Sequence, residues 1–165
     1  MSPPAFRIDG APASRAAFYA IACDPARSCA VEACAGSGKT WMLVSRMLRA
    51  LLNGAEPHEI LAITFTRAAA GEMRQRLGDW LSAYSAPRAT HEERVTALIE
   101  RGVTPARAEA QAPALGALYG KVLAAGRPIE IRTFHAWFSQ LLRAAPLALL
   151  DRLGLAPEME LIEEL

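Results

Sequence analysis

Eight consecutive residues of this chain have the types and the spacing that hold the phosphates of a nucleotide. They are Ala33, Cys34, Ala35, Gly36, Ser37, Gly38, Lys39 and Thr40. Glycine at positions 36 and 38 allows positive φ angles, which turn backbone N–H groups toward an anion. In such a loop the lysine contacts the β- and γ-phosphates, and the hydroxyl that follows it is a ligand of Mg²⁺. The sequence therefore predicts a nucleoside triphosphate site in which Lys39 and Thr40 are catalytic and Thr40 binds the metal.

The segments on either side of this loop fit a strand and a helix, the context that a phosphate-binding loop requires. Residues 28–33 include a short apolar stretch after a turn signal, as in a buried strand. Residues 40–52 predict a helix whose apolar stripe excludes Arg46 and Arg49, and Gly54 follows where a helix usually ends. The stripe consists of Val44, Met47, Leu48, Leu51 and Leu52. An ordinary glycine turn before a helix is the simpler alternative, but these flanks favour nucleotide binding.

Strands and helices alternate along the rest of the chain. Residues 60–65 are apolar almost throughout, as in a strand buried on both faces, and a further strand is predicted at 129–132. The other predicted helices cover residues 14–22, 68–84, 91–101, 105–125 and 133–144. This alternation predicts an α/β fold with a parallel sheet, helices on both faces and a helical insertion. Ligands would then bind at the carboxyl ends of the strands, where Thr40, Thr66 and Thr133 are expected.

Three short segments carry more specific information. Residues 33–40 read ACAGSGKT, residues 64–73 read TFTRAAAGEM and residues 133–138 read TFHAWF. In this order they resemble motifs of the superfamily-one helicases of the UvrD/Rep group, which includes the RecB and AddA helicase–nucleases. The first segment is similar to that group's AxAGSGKT loop. This form accounts for Ala33, which stands where the general phosphate-loop pattern has glycine. The second is similar to motif Ia, TFTNKAAxEM, with Arg67 and Ala68 in place of the Asn-Lys pair.

The resemblance implies an ATP-driven translocase on single-stranded DNA, with ATP and Mg²⁺ as cofactors and an incomplete, RecA-like P-loop NTPase core. It also points to recombinational DNA repair and allows for a partner, the second subunit of a helicase–nuclease. By the same resemblance five residues would contact DNA: Thr64, Phe65, Thr66, Arg67 and His135. A buried strand residue is the alternative for Phe65, and a capping or core histidine is the alternative for His135. Trp80 and Trp137 lie on apolar helix stripes and are expected in the core.

Two groups that the helicase family uses are absent from their usual places. No glutamine precedes Gln75, and the zone around Phe18 and Tyr19 offers a ring but no amide to read adenine. No DExxD-type segment occurs; Asp151 and Glu163 follow apolar residues, but the first segment is typical of a helix and the second ends the chain. Two interpretations remain open. The chain is the N-terminal part of a helicase whose hydrolysis needs elements it lacks, or it is a stand-alone P-loop module that binds nucleotide or DNA without turnover.

Length and composition restrict the class of protein. The chain has 165 residues, 52% of them hydrophobic, enough for one domain with a core, and no apolar run approaches the ~18 residues of a membrane span. Its start lacks the apolar segment of a signal peptide, so we expect a cytoplasmic protein without membrane contacts. Cys23, Cys29 and Cys34 have no metal-binding spacing and are expected to be reduced. Residues 1–150 carry 17 basic and 12 acidic side chains, a balance compatible with nucleic acid.

These observations divide the chain into five expected segments. Residues 1–27 form an N-terminal arm and helix, and residues 28–84 form the RecA-like ATP-binding core. Residues 85–128 are a helical insertion, residues 129–145 return to the core with the TFH segment, and residues 146–165 begin a truncated helical subdomain.

Overall fold

The computed structural model describes residues 6–34 and 36–155 of the chain. Its strands are β1 (Arg7–Ile8), β2 (Ala11–Pro12), β3 (Leu61–Thr64) and β4 (Glu130–Thr133). Its helices are α1 (Arg15–Ala22), α2 (Lys39–Leu52), α3 (Arg67–Ser85), α4 (His91–Glu100), α5 (Pro105–Ala124), α6 (Phe134–Ala144) and α7 (Leu147–Leu153), with a 3₁₀ turn at Pro57–Glu59. Within these ranges no helix is both long and apolar enough to cross a membrane.

Each helix that the sequence predicts is present, and its ends differ from the predicted ones by at most one residue. Local side chains explain why four of these helices begin where they do. A serine or threonine hydroxyl accepts a hydrogen bond from the backbone N–H three residues later, which satisfies one of the free donors of the first turn. The capping residues are Ser14, Thr66, Thr90 and Thr133.

Helices α2, α3, α4 and α5 enclose the main hydrophobic core. The apolar stripe predicted on α2 is confirmed, because Val44 and Leu48 are fully buried and its other members are buried or half-buried. Leu98 from α4 and Leu115 from α5 pack into the same core, together with Ile131 from β4. The helix that follows the loop at residues 33–40 is therefore anchored by packing along its buried side.

Arg49, which lies off the predicted apolar stripe of α2, is nevertheless buried. Its Nη1 donates a hydrogen bond of 3.0 Å to the carbonyl oxygen of Arg101, and its Nη2 lies 3.9 Å from a carboxylate oxygen of Asp24. Burial lowers the pKa of Arg49, and the nearby Asp24 raises it. The helical period could not reveal this because both partners come from other elements.

Two small sheets are present in the described residues. Strands β1 and β2 form an antiparallel hairpin whose turn residues, Asp9 and Gly10, both have positive φ angles. Strands β3 and β4 pair in parallel, with Leu61 opposite Glu130 and Thr64 opposite Thr133. Because the carboxyl ends of β3 and β4 lie side by side, the segments that follow them begin at the same edge of the sheet.

The predicted strand at residues 28–33 is wrong, since this segment has no regular secondary structure and pairs with neither β3 nor β4. The expectation that β3 is buried on both faces is also wrong: Leu61 is 46% exposed and Ile63 is 41% exposed. Helix α3 contacts β3 and β4, and the side chains of Leu61 and Ile63 alternate with half-buried ones. The fold is therefore mixed α/β, and the described residues do not form the predicted parallel sheet with helices on both faces.

Candidate nucleotide-binding site

Gly36 and Gly38, in the loop that leads into α2, have the backbone conformation that the sequence predicts for them. Gly36 has a φ angle of +76° and Gly38 has a φ angle of +88°, and a β-carbon added to either would meet no atom within 4 Å. A side chain would have room at both positions, so it is the left-handed backbone conformation that favours glycine there. Gly38 directly precedes α2, so the loop leads into the N-terminus of a helix. Ala35 lies outside the described residues.

The ammonium group of Lys39 is held inside this loop. Its Nζ donates hydrogen bonds of 2.7 Å to the carbonyl oxygen of Ala33 and 2.6 Å to that of Cys34. The residue is exposed, so phosphate oxygens can reach the ammonium group. The loop thus fixes a positive charge next to the free N–H groups of the first turn of α2, a turn that contains no acidic residue. Both features favour an anion at this position.

Thr40 is the second residue of α2 and is half-buried. A hydroxyl at this place in a phosphate loop is suited to Mg²⁺ that also binds phosphate oxygens. In the part of the chain that the structure describes, no cluster of three or more acidic, histidine or cysteine side chains could hold a metal ion by itself. The Thr40 hydroxyl offers a metal a single ligand, so it fits a metal that phosphate oxygens hold as well.

A pocket of about 450 Å³ opens beside the loop. Three aromatic residues, Phe6, Phe18 and Tyr19, line it together with Arg7 and Glu32. The sequence analysis identified the zone of Phe18 and Tyr19 but missed the other three. The Asp-Gly dipeptide at residues 9–10, a strong hairpin signal, could have shown that the chain folds back to bring Phe6 and Arg7 to α1.

Side chains from α2 hold the segment before the loop in place. The guanidinium group of Arg46 donates hydrogen bonds to the carbonyl oxygens of Ala22, Asp24 and Arg27. Cys23, next to these residues, is fully buried, and burial raises the pKa of its thiol to about 11. Arg46 therefore ties the turn that follows α1 to α2, the helix into which the loop leads.

The residues predicted to contact DNA lie at the carboxyl ends of β3 and β4. Thr64 is opposite Thr133 in the strand register, and His135 follows two residues later at the start of α6. The side chain of Phe65 is 87% exposed, which excludes the alternative of a buried strand residue. His135 is also exposed, which excludes a core histidine. Topology therefore brings this group to one sheet edge.

Thr66 and Arg67 mark the start of α3 at the same edge. The Thr66 hydroxyl caps α3 by accepting a hydrogen bond of 3.1 Å from the N–H of Ala69. Arg67 is the first residue of α3 and is exposed. Trp80 and Trp137, expected in the core, are each half-buried.

Neither acidic candidate forms the missing carboxylate site in the described residues. Asp151 lies in α7, as its helix-like segment predicts, and no strand places it beside the phosphate loop. Glu163 lies outside the described residues.

Sequence comparison shows a match over most of the chain. The profile of the UvrD/REP helicase N-terminal domain matches residues 14–164. This range includes the phosphate loop, β3, β4 and all of the described helices.

Individual relatives match over shorter stretches. An ATP-dependent helicase/nuclease subunit of Clostridium perfringens (strain 13) is 51% identical over 55 residues, which cover 32% of this chain and 4% of that protein. The proteins of the same name from Clostridium beijerinckii and Anoxybacillus flavithermus are 43% and 41% identical over 76 residues, covering 43% of this chain and 6% of each relative. The matched stretch is thus a small part of these relatives. No solved structure matches the chain.

Proposed function

This chain belongs to the UvrD/REP helicase N-terminal domain family, and we propose that it is the nucleotide-binding part of an ATP-dependent DNA helicase. The observation that carries the proposal is the loop at residues 33–40. It has two glycines with positive φ, a lysine whose ammonium group is held by two carbonyl oxygens of the loop, and a helix that begins at the residue after the second glycine. A glycine turn that served only to connect two elements would have no need of a lysine folded back over its carbonyl oxygens.

Each residue of the loop has a role in holding a triphosphate. The backbone N–H groups of the segment 33–40 bind phosphate oxygens, and Lys39 places its ammonium group against the β- and γ-phosphates. The hydroxyl of Thr40 would hold Mg²⁺, and the ion would supply positive charge that offsets the charge of the phosphates. Hydrolysis further requires a carboxylate to orient water, and we assign that group to residues outside this chain.

Single-stranded DNA binds at the edge where β3 and β4 end. The exposed ring of Phe65 stacks on a base, and Thr64, Thr66, Arg67 and His135 contact the backbone of the strand. Support comes from the exposure of Phe65 and from the parallel pairing that places both segments at one edge. Exposed rings next to basic and hydroxyl side chains are the groups by which translocases hold single strands.

The names of the relatives suggest the wider role. They are subunits of helicase–nucleases, so we place this chain in the recombinational repair of DNA ends, in a complex with another subunit. The alternative is a stand-alone module that binds nucleotide or DNA without turnover. Both hypotheses predict a low rate of ATP hydrolysis by the 165-residue chain, so the test needs another measurement. ATP hydrolysis by the native gene product in the presence of single-stranded DNA provides the comparison: a helicase should hydrolyse ATP, whereas a stand-alone module would not.

The phosphate site is tested by equilibrium binding of a fluorescent ATP analogue with Mg²⁺. Lys39→Ala should weaken binding by about tenfold or more, because it removes the charge that meets the phosphates. The chain offers a matched control, since its only other lysine, Lys121, lies on α5 and is paired at 3.7 Å with Glu56. Lys121→Ala should leave the dissociation constant unchanged. Equal affinity of the two variants would refute the proposed site.

A further inference from the structure

The pocket beside the phosphate loop has the size and lining of a site for a flat ring system. Phe6 and Phe18 line it and are half-buried, so part of each ring remains accessible. Gly38 and Lys39 line the same pocket, which makes it continuous with the proposed triphosphate site. The base of a nucleotide whose phosphates lie in the loop would therefore lie next to this pocket.

The two accessible rings rest on a rigid support. Their centroids are 5.1 Å apart, and each also contacts Tyr19, at 5.8 Å from Phe6 and 5.5 Å from Phe18. Tyr19 is buried and packs in turn against Trp41 of α2, with ring centroids 5.0 Å apart. Because Trp41 lies in the first turn of α2, the aromatic group and the phosphate loop have a fixed relation to each other.

The polar side chains of the pocket do not distinguish adenine from guanine. An Asn or Gln amide can pair with N6 and N7 of adenine at once, but the chain contains neither residue before Asn53. The pocket offers Arg7 and Glu32 instead. Arginine can donate to N7, an acceptor that both purines carry, and a carboxylate accepts from the amino group of either purine. The edge chemistry present thus suits both bases.

We propose that this pocket binds the base by stacking on Phe6 and Phe18 and does not select its edge, so that the site accepts ATP and GTP with similar affinity. The inference rests on the proposed function of the phosphate loop. Stacking is sequence-tolerant because every base has a π-face. The base therefore adds affinity to the triphosphate without adding discrimination between purines.

Competition against a fluorescent nucleotide tests this on the 165-residue chain, with Mg²⁺ and with ATP, GTP and inorganic tripolyphosphate as competitors. We expect dissociation constants for ATP and GTP within about fivefold of each other, and tripolyphosphate weaker than both by about fivefold or more. A larger preference for either purine overturns the inference, as does tripolyphosphate that competes as well as ATP.

A variant locates the stacking surface. Phe6→Ala should weaken ATP and GTP alike, by about fivefold or more, and leave tripolyphosphate unchanged. Phe138→Ala is the control, because it removes a half-exposed ring from α6, outside the pocket. Thermal unfolding of both variants shows whether either ring is needed for folding; a folded Phe6→Ala variant with unchanged nucleotide affinity contradicts the inference.

Failure of this inference is distinguishable from failure of the proposed function. If Lys39→Ala does not weaken tripolyphosphate or ATP, the phosphate site itself is wrong. If Lys39→Ala weakens both and ATP is still clearly preferred over GTP, the phosphate site stands and only the inference about the base is wrong.

Discussion

The guanidinium carbon of Arg101 lies 4.1 Å from the centroid of the Trp80 ring. Arg101 is only 2% exposed, and the rings of Trp41 and Tyr84 lie within 5.5 Å of the same carbon. Its Nη1 donates to the carbonyl oxygen of Ala97 and its Nη2 to the Tyr84 hydroxyl, while its Nε has no partner. Burial lowers the pKa of this guanidinium, and the rings oppose that cost. The end of α4 is thereby joined to the first turn of α2.

Removing the ring and removing the charge should therefore not have additive effects on stability. Trp80→Leu leaves a buried cation without its aromatic face, whereas in the Arg101→Met background no cation is left to stabilise. We expect a coupling energy of about 2 kcal/mol between the two positions, the size of a desolvated cation–π interaction. Urea denaturation of the four proteins of the double-mutant cycle measures it. Trp137→Leu, which removes a half-buried tryptophan from α6, should be additive with Arg101→Met.

Gly102, the next residue, should tolerate no side chain. Its φ angle is +78°, and an added β-carbon would lie 2.3 Å from the backbone of Tyr19 and Ala20. Backbone atoms cannot move aside as a flexible side chain can, so Gly102→Ala should destabilise the protein by about 3 kcal/mol or more. Gly54→Ala is the matched control, because Gly54 also has a positive φ, +100°, but open space around it. It should cost only about 1 kcal/mol, and equal costs in thermal unfolding would contradict the close contact.

Local patterns predicted the helices of this chain but not the contacts between them. The period of the stripe through Val44 and Leu48 was enough to place α2, and the positive φ angles of Gly36 and Gly38 followed from the residue type. A strand, however, needs a neighbouring strand to pair with. The apolar residues around Val31 do not reveal that they lack such a neighbour in the described part of the chain. Arg101 belongs to a helix end in the sequence; only the folded chain brings Trp80 to it, from 21 residues away.

The thiol of Cys23 should be much less reactive than the other two thiols. Burial raises its pKa from 9.0 to about 11, and its Sγ contacts the carbonyl oxygen of Met42, whereas Cys29 and Cys34 are exposed. At about pH 8, iodoacetamide should therefore label Cys29 and Cys34 but leave Cys23 unmodified until the protein is unfolded in urea. Mass spectrometry of tryptic peptides identifies the labelled sites. Labelling of Cys23 at the rate of Cys34 in the native protein would contradict its burial.

The same thiol should make stability depend on pH at the alkaline end. Since its pKa is higher in the folded state than in the unfolded state, the unfolded chain loses this proton first as pH rises. Its contribution to the free energy of unfolding is complete below about pH 9 and is lost as pH rises toward about 11. Cys23→Ala should reduce the fall in stability between these values, as measured by urea denaturation at each pH. Cys34→Ala, which changes an exposed thiol, should leave the fall unaltered.

Phe65 should contribute to DNA affinity and not to nucleotide affinity. Its ring is 87% exposed at the end of β3, so Phe65→Ala removes no core contact and should leave thermal stability within about 0.5 kcal/mol of the wild type. Loss of one stacked base should weaken binding of a fluorescent oligo-dT by about fivefold or more. Leu123→Ala provides the control, because Leu123 is an exposed apolar residue on α5 that the proposed DNA edge does not include. Fluorescence anisotropy compares the two variants. If both lose the same affinity for oligo-dT, or if Phe65→Ala also weakens ATP binding, the ring does not act as a platform for DNA.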